Sequence, residues 1–338
     1  MERTLIAVIP SKFAVYFNEI IRGLENIAFG KIIFGDTLDA FQSEITSTAP
    51  KSYVFAIASP IAVDILEQFH LVRCANGGTI EWVHSLLTGI DGYRPRHLGS
   101  FLTAPMSNAR GCYSSILAEH VAMCSLYFCK QVSRIQSNQS LKMWDWFPNG
   151  ELNGKVLGIV GYGNIGRSVA RLMSGFGMKC LGYVRSERDA VDDLGVEQVT
   201  GPDGLDKVLS TSDFIVAILP KTQETNDLFN VKRFQQMKKS TVFINIGRGT
   251  TVHEGDLLDA LQNGTIAGAA LDVFKAEPLP KESKLWGVSP SKLVMTPHNA
   301  DLSAEAFSGA ARQFCELAMG YVTTGKLPDY LVDLTAGY

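Results

Sequence analysis

The chain has 338 residues, a length typical of two domains that each bury their own core. It carries 31 Lys and Arg residues against 34 Asp and Glu residues, which gives a formal net charge of -3, and 46% of its residues are hydrophobic. This charge gives no long-range attraction for nucleic acid or anionic lipid, and no apolar run approaches the roughly 18 residues that a membrane span requires. The composition predicts a globular protein whose partners are small molecules or other protein chains, with no nucleic acid and no membrane among them.

The six cysteines form no CxxC pair and lie mostly inside apolar stretches. Free thiols in a reducing compartment explain this usage better than disulfides or a metal site do. The first residues run directly into a strand-like segment and show neither a secretory nor a transit pattern. These features predict a cytoplasmic protein without a bound metal.

Short β-rich runs alternate with segments of helical spacing in the first hundred residues. The runs are Leu5–Ile9, Ile32–Phe34, Tyr53–Ala58 and Leu71–Cys74, and Ile61–Phe69 has helical spacing. This alternation is typical of a parallel α/β unit.

A second unit follows. The stretch from Ser114 to about Ile135 is rich in apolar residues, lacks Gly and Pro, and predicts one long helix. Six further strand-like runs come after it: Val156–Val160, Lys179–Val184, Phe214–Leu219, Thr241–Ile246, Ile266–Val273 and Leu293–Thr296. Helical segments separate most of them, which indicates a doubly wound sheet.

The segment Gly161-Tyr-Gly-Asn-Ile-Gly166 has the spacing GxGxxG, which is a weak signal in a chain with 31 glycines. Its context strengthens it, because it follows the apolar run Val156–Val160 and opens a segment of helical spacing. Glycines at these positions permit a tight turn and let the backbone approach a pyrophosphate, while the helix amino terminus supplies N–H donors. The alternative is a glycine-rich turn with no ligand.

Polar residues gather where the predicted strands of the second unit end. They are Gly161, Arg185, Pro220, Arg248, Asp272 and His298. Ligands of open α/β sheets bind at this edge. The pattern therefore favours one shared crevice over scattered surface residues.

Several motifs in order and spacing resemble the D-isomer-specific 2-hydroxyacid dehydrogenases. They are Asn108-Ala-Arg-Gly-Cys-Tyr-Ser114 with Ala118-Glu-His-Val121, Gly161–Gly166, Leu219-Pro-Lys-Thr222, Asn245-Ile-Gly-Arg-Gly249, Leu271-Asp-Val-Phe274 with Glu277-Pro278, and Thr296-Pro-His-Asn-Ala300. The resemblance covers about residue 70 to the end of the chain and is closest to the glyoxylate and hydroxypyruvate reductase subgroup.

By this resemblance, the catalytic set is Arg248, Glu277 and His298. Arg248 would bind the substrate carboxylate and polarise the ketone oxygen with its planar, always-charged fork. His298 would act as the acid and base, and Glu277 would hydrogen-bond to it and favour the charged imidazolium. The alternatives are a solvated surface Arg, a structural His and a surface Glu.

The resemblance also implies binding residues for substrate and cofactor. The loop Asn76, Gly77 and Gly78, taken to follow a strand of the first domain, would bind the substrate carboxylate through backbone N–H groups; a simple turn is the alternative. The cofactor residues are Gly161, Tyr162, Gly163, Asn164, Ile165, Gly166, Arg185, Ser186, Arg188, Leu219, Pro220, Thr225, Ile246 and Asp272, with Asp272 at the nicotinamide amide.

The end of the run Lys179–Val184 predicts that NADP(H) is preferred, with NAD(H) possible. Val184 stands where NAD-using relatives commonly have an acid that binds the ribose 2′-hydroxyl. Arg185, Ser186 and Arg188 follow, and two cations with a hydroxyl suit a 2′-phosphate. The alternative is that both arginines are solvated and that Glu187 supplies the acid.

The expected fold is α/β, with two doubly wound parallel-sheet domains: a flavodoxin-like substrate domain (1–100 and 300–338) and a Rossmann cofactor domain (101–299). The expected function is reduction of small 2-oxo acids to D-2-hydroxy acids by a homodimer. The cofactor domain would form most of the interface, because the helix from Ser114 and the Trp144–Trp146 segment offer more apolar surface than one domain covers. A packing role within the chain is the alternative for Trp144–Trp146. A dinucleotide-sensing interaction protein, similar to the corepressors that share this fold, is the alternative. An L-lactate or malate dehydrogenase is disfavoured because its glycine-rich turn normally lies near the amino terminus.

Overall fold

The computed structural model describes residues 3–48, 51–187 and 189–337. The chain divides into two compact units: the first comprises Met1–Tyr113 and Leu302–Tyr338, and the second comprises Ser114–Asp301. Residues 101–113, which the sequence assigns to the second domain, thus belong to the first unit. The reason is that the short strand Met106–Asn108 pairs with the sheet of the first unit.

The strands of the described residues pair in parallel throughout. They are β1 (Arg3–Val8), β2 (Lys31–Gly35), β3 (Ser52–Ile57), β4 (Thr79–Ser85), β5 (Met106–Asn108), β6 (Val156–Val160), β7 (Lys179–Tyr183), β8 (Glu197–Val199), β9 (Phe214–Ala217), β10 (Val242–Asn245), β11 (Gly268–Leu271) and β12 (Leu293–Met295).

The α-helices are α1 (Ala14–Arg22), α2 (Gln42–Ile45), α3 (Ala62–Gln68), α4 (Pro95–Phe101), α5 (Ser114–Cys129), α6 (Val132–Ser140), α7 (Asn164–Ser174), α8 (Gly201–Thr211), α9 (Val231–Gln236), α10 (Glu254–Gln262) and α11 (Ala304–Thr324). In the part of the chain that the structure describes, none of these helices is long and apolar enough to cross a bilayer.

The five strands of the first unit lie in the order β2-β1-β3-β4-β5. This is the doubly wound order of flavodoxin-like folds, so the predicted class of this unit is confirmed. All six residues of β3 are buried, as are five of the six residues of β1. Central strands of parallel sheets are covered on both faces, and their sequences are therefore nearly continuous apolar runs.

The prediction of a strand at Leu71–Cys74 is wrong. These residues belong to a π-helical segment, Phe69–Cys74, that continues α3. The strand at this place in the sheet is β4, whose sequence Thr-Ile-Glu-Trp-Val-His-Ser was not recognised because polar residues interrupt its apolar pattern. Two of those polar residues, His84 and Ser85, are fully buried.

His84 is buried among neutral groups of the first unit. Its Nδ1 lies 2.8 Å from Oγ of Ser107, and Nε1 of Trp82 donates a hydrogen bond of 2.9 Å to the same oxygen. Burial lowers the pKa of His84 from 6.5 to about 3, because the charged imidazolium would lose its hydration. The folded protein therefore holds this ring neutral.

We expect acid to destabilise the first unit through His84. Unfolding restores the ordinary pKa of 6.5, so between about pH 3 and 6.5 the unfolded chain binds up to one proton more than the folded chain. In this window the free energy of unfolding should fall by up to about 1.4 kcal/mol for each pH unit. Urea denaturation of wild type and His84→Gln at several pH values should show the shallower dependence in the variant. Equal slopes would contradict this role.

The second unit contains a seven-stranded sheet in the order β12-β11-β10-β9-β6-β7-β8. This is the Rossmann order with one added edge strand, and the predicted class is confirmed. The prediction of one long helix from Ser114 is wrong, because the helical conformation is interrupted between α5 and α6. Gln131 there has a φ of 51°, in the left-handed region that ends a helix.

Candidate active site

Six residues identified from the sequence lie at or just beyond the carboxyl ends of strands in the second unit. The strands β12, β11, β10, β9, β6 and β7 are consecutive neighbours in the sheet. Across the sheet the residues therefore follow one another as His298, Asp272, Arg248, Pro220, Gly161 and Arg185. The structure places the predicted catalytic and cofactor residues along one edge, which is where ligands of such sheets bind.

The turn between β6 and α7 has room for an anionic ligand. Gly161 has a φ of 102°, which makes the turn tight, and its N–H and that of Tyr162 both donate to the carbonyl of Tyr183. Gly163 precedes α7 and is exposed, and a methyl group placed on it would meet no atom within 4 Å. A pyrophosphate can therefore approach the free N–H groups at the start of α7, where Asn164, Ile165 and Gly166 follow.

The segment after β7 carries the predicted 2′-phosphate contacts. Val184 is buried, whereas Arg185, Ser186 and Glu187 are exposed. The carbonyl of Arg185 accepts a hydrogen bond of 3.1 Å from Oγ1 of Thr200. Arg188 lies outside the described residues. The position directly after β7 is thus apolar, as the sequence indicates, and the cation follows it.

The turns after β9 and β10 contain the remaining predicted cofactor residues. Oγ1 of Thr225 donates a hydrogen bond of 2.7 Å to the carbonyl of Pro220 and so closes the turn that begins at Leu219. The N–H of Ile246 donates to the carbonyl of Ala217. These hydrogen bonds therefore fix the backbone of both turns at the edge of the sheet.

His298 and Glu277 form a hydrogen-bonded pair. Nδ1 of His298 lies 2.6 Å from Oε2 of Glu277, and Oε1 of Glu277 accepts the N–H of Phe274 at 2.8 Å. A carboxylate on Nδ1 fixes the orientation of the ring and leaves Nε2 to exchange a proton with a substrate. The His298 side chain is 42% exposed, so a ligand can reach it.

Asp272 is buried, and its carboxylate holds the turn that carries His298. Oδ1 accepts hydrogen bonds from Oγ1 of Thr296 at 2.6 Å and from the N–H groups of Asn299 and Ala300 at 3.0 and 3.2 Å. His298 itself has a φ of 49° and donates its N–H to the carbonyl of Asp272. The sequence places Asp272 at the nicotinamide amide, whereas the contacts shown for its carboxylate are with the turn 296–300.

Arg248 lies in the turn after β10, in front of Gly249. A methyl group on Gly249 would lie 1.9 Å from the carbonyl carbon of Phe274, so only glycine permits this close approach. The carbonyl of Arg248 accepts hydrogen bonds from Oγ1 of Thr251 at 2.7 Å and from Nδ2 of Asn245 at 3.1 Å. Asn245 and Gly249 of the Asn-x-x-Arg-Gly motif thus fix the Arg248 backbone beside the loop after β11.

Asp301 is an acidic residue near this set that the sequence pattern did not indicate. Burial raises the pKa of Asp301, while the positive charges of His298 and Arg248 oppose that rise. It lies two residues before Ser303, the residue that caps α11, and no motif marks this position.

The prediction for the substrate loop rests on a wrong premise. Asn76, Gly77 and Gly78 precede β4 and therefore lie at the amino edge of the first sheet, opposite to the edge where ligands bind. The N–H groups of Asn76 and Gly78 are also occupied, because both donate to the carbonyl of Arg73. The turn that leaves β4 at its carboxyl end is Leu86–Ile90.

Residues 122–300 match the family model for the NAD binding domain of D-isomer specific 2-hydroxyacid dehydrogenase. The match covers more than half of the chain, which therefore belongs to this family. The family predicted from the sequence motifs is confirmed.

Two curated relatives show how far the similarity extends. A probable 2-ketogluconate reductase of Dictyostelium discoideum is 46% identical over 149 residues, 44% of this chain and 43% of the relative. A glyoxylate reductase of Pyrococcus furiosus is 37% identical over 189 residues, 56% of this chain and 54% of the relative. The chain thus spans about half the length of the curated relatives it matches.

Two solved structures resemble the whole chain. An NADPH-dependent glyoxylate/hydroxypyruvate reductase from Sinorhizobium meliloti, in complex with NADP and sulfate, has a TM-score of 0.79 and 25% identity, and the match covers 100% of both chains. A D-isomer specific 2-hydroxyacid dehydrogenase family protein from Aeromonas salmonicida has a TM-score of 0.80 and 29% identity, with 99% of this chain and 100% of that chain covered.

Proposed function

We propose that this protein reduces small 2-oxo acids to D-2-hydroxy acids with a nicotinamide dinucleotide. The observation that carries the proposal is the His298–Glu277 pair on the same sheet edge as Arg248 and the turn Gly161–Gly166. An acid and base, a fixed cation and a dinucleotide turn are the parts that this reduction requires. The names of the two curated relatives and the NADP-bound reductase structure support the same reaction.

The residues of this chain would orient the substrate and move one proton. When bound, the reduced cofactor supplies the hydride that goes to carbon 2 of the oxo acid. The guanidinium of Arg248 binds the substrate carboxylate and polarises the ketone oxygen. Nε2 of His298 then gives a proton to that oxygen, so one hydride and one proton convert the ketone to an alcohol. Glu277 stabilises the imidazolium before the transfer.

The test of this proposal is a substrate panel. The purified protein is given reduced cofactor and glyoxylate, hydroxypyruvate or a bulkier 2-oxo acid, and loss of the reduced-cofactor absorbance is followed. Turnover of at least one oxo acid, with a D-2-hydroxy acid as product, supports the enzyme. Tight cofactor binding without turnover of any oxo acid would favour the corepressor-like alternative, which the reductase names of the relatives do not support.

The cofactor preference is a separate proposal, namely that NADPH is used in preference to NADH. Support comes from the apolar Val184 at the end of β7 and the exposed Arg185 and Ser186 after it. Val184 stands at the position of the acid that would bind the 2′-hydroxyl and repel a 2′-phosphate.

We expect Arg185→Ala to raise KM for NADPH by about tenfold or more and to leave KM for NADH nearly unchanged, because only the phosphate loses a charge-assisted contact. Steady-state kinetics with both cofactors measures this difference. Arg171→Ala, at an exposed position on α7, is the matched control. An equal rise in KM for both cofactors, or a wild type with a higher kcat/KM for NADH than for NADPH, would show that Arg185 does not contact the 2′-phosphate.

We also propose a homodimer formed through residues 141–147, here named the Trp144 segment. Trp144 is 100% exposed and Trp146 is 88% exposed, and Leu141 and Met143 are exposed beside them. The segment is nevertheless tied to α6, because Arg134 binds Asp145 at 2.6 Å and stacks on Phe147. An ordered segment that presents two indole rings outward is typical of an interface, and a second copy of the chain carries the same surface.

Sedimentation should give twice the 36.9 kDa chain mass at micromolar concentration. Replacing both Trp144 and Trp146 with serine should shift the protein to the single-chain mass, because the interface loses its largest apolar groups. Trp286→Ser, at another exposed tryptophan, is the control and should sediment as wild type does. A wild type that sediments as a single chain would contradict the proposal.

A further inference from the structure

Asp192 lies in the segment between β7 and β8, and its carboxylate is buried. The side chain of Asp192 is 7% exposed. Its Oδ1 accepts the N–H groups of Leu194 and Val196, each at 3.0 Å, which closes the end of the segment on itself. Its Oδ2 accepts hydrogen bonds from two side chains outside the segment.

Those two side chains belong to the glycine-rich turn and the helix after it. The hydroxyl of Tyr162 donates to Oδ2 of Asp192 at 2.7 Å, and the guanidinium of Arg167 donates to the same oxygen. Tyr162 is buried, and its ring occupies the space above Gly182 of β7. Together these donors hold the pKa of Asp192 below its usual range despite burial, so the residue remains a carboxylate.

Asp192 therefore joins two regions that meet different parts of a dinucleotide. The turn Gly161–Gly166 suits the pyrophosphate, and the segment that begins at Arg185 suits a 2′-phosphate. The other end of the segment is also fixed, because Oγ1 of Thr200 donates to the carbonyl of Arg185.

We propose that Asp192 is a positioning residue for NADPH, which sets the distance between the pyrophosphate turn and the segment that contacts the 2′-phosphate. The inference rests on the proposed preference for NADPH. NADH lacks the 2′-phosphate and needs only the turn, so its binding depends far less on where the segment lies. The role is one of orientation, since Asp192 itself, an anion, would repel a phosphate.

The experiment compares Asp192→Ala with Asp193→Asn. Asp193 is the matched control because it pairs with the same Arg167 at 2.6 Å, yet its side chain is 72% exposed. We expect Asp192→Ala to raise KM for NADPH by about tenfold, with kcat and KM for NADH changed by less than about twofold. Asp193→Asn should behave as wild type does.

A binding measurement separates positioning from catalysis. The dissociation constants of adenosine 2′,5′-bisphosphate and of 5′-AMP are measured by calorimetry, and only the first should rise in Asp192→Ala. Tyr162→Phe removes one hydrogen bond without a change of charge and should reproduce a smaller part of the effect. It also keeps the proposal testable where Asp192→Ala does not fold.

The outcomes distinguish the inference from the proposed preference. A wild type that prefers NADH removes the preference, and the positioning role falls with it. If the wild type prefers NADPH but the variants show an equal rise in KM for NADPH and NADH, only the positioning role of Asp192 is overturned. Tighter NADPH binding by Asp192→Ala would also overturn it, because the released charge of Arg167 would then outweigh the loss of orientation.

Discussion

His298→Ala should lower kcat/KM for 2-oxo acid reduction by about a hundredfold or more, because the ketone oxygen loses its proton donor in the transition state. Steady-state kinetics on a variant with wild-type thermal stability measures the loss. His253→Ala is the control for the loss of an imidazole, since His253 caps α10 and pairs with Asp256 at 2.9 Å. Near-normal turnover by His298→Ala would end the catalytic assignment.

Glu277→Gln separates proton transfer from structural support. In the wild type the Glu277 carboxylate lies 2.6 Å from His298, and the variant replaces it with an uncharged side chain that can still form hydrogen bonds. The kcat of reduction should fall by about tenfold or more, because the neutral amide stabilises the protonated donor less than the carboxylate does. A wild-type kcat in the folded variant would show that the pair does not govern the proton donor.

Arg248→Ala is expected to reduce kcat/KM by about a hundredfold or more, because the substrate carboxylate and the developing oxyanion lose their fixed cation. Arg248→Lys should recover part of this loss, mainly in kcat, since it returns a charge without the planar fork. Arg171→Ala, an exposed arginine of the same unit, controls for the general loss of a cation. Equal kcat/KM in Arg248→Ala and wild type would contradict the role.

The second sheet is predictable because its strands are apolar runs that end in polar residues. β6 begins and ends where the sequence predicts, and all six residues identified at strand ends lie at the carboxyl edge. The sequence did not indicate the three-residue strands β5 and β8, and two further features escaped because their causes are not local. Strand β4 buries His84 against Ser107, 23 residues away, and nothing near Gln131 marks the break between α5 and α6 by a Gly or Pro.

The candidate site shows the same division. Arg248 and His298 could be identified as candidates because a strand end and a motif mark each of them, whereas Glu277 is marked by a motif alone. The contact of Asp192 with Tyr162 joins residues 30 positions apart, and an isolated acid in a loop gives no sign of it. The loop Asn76–Gly78 was misplaced because one misassigned strand moves a turn to the opposite edge of the sheet.

The glycines on both sides of Arg248 limit how this protein can be re-engineered. A methyl group on Gly247 would lie 2.6 Å from the backbone nitrogen of Leu219, as one on Gly249 would collide with Phe274. A mutational library that includes residues 247–249 would therefore consist mostly of damaged proteins, whatever substrate is used for selection. Laboratory evolution toward a different oxo acid should therefore leave residues 247–249 intact.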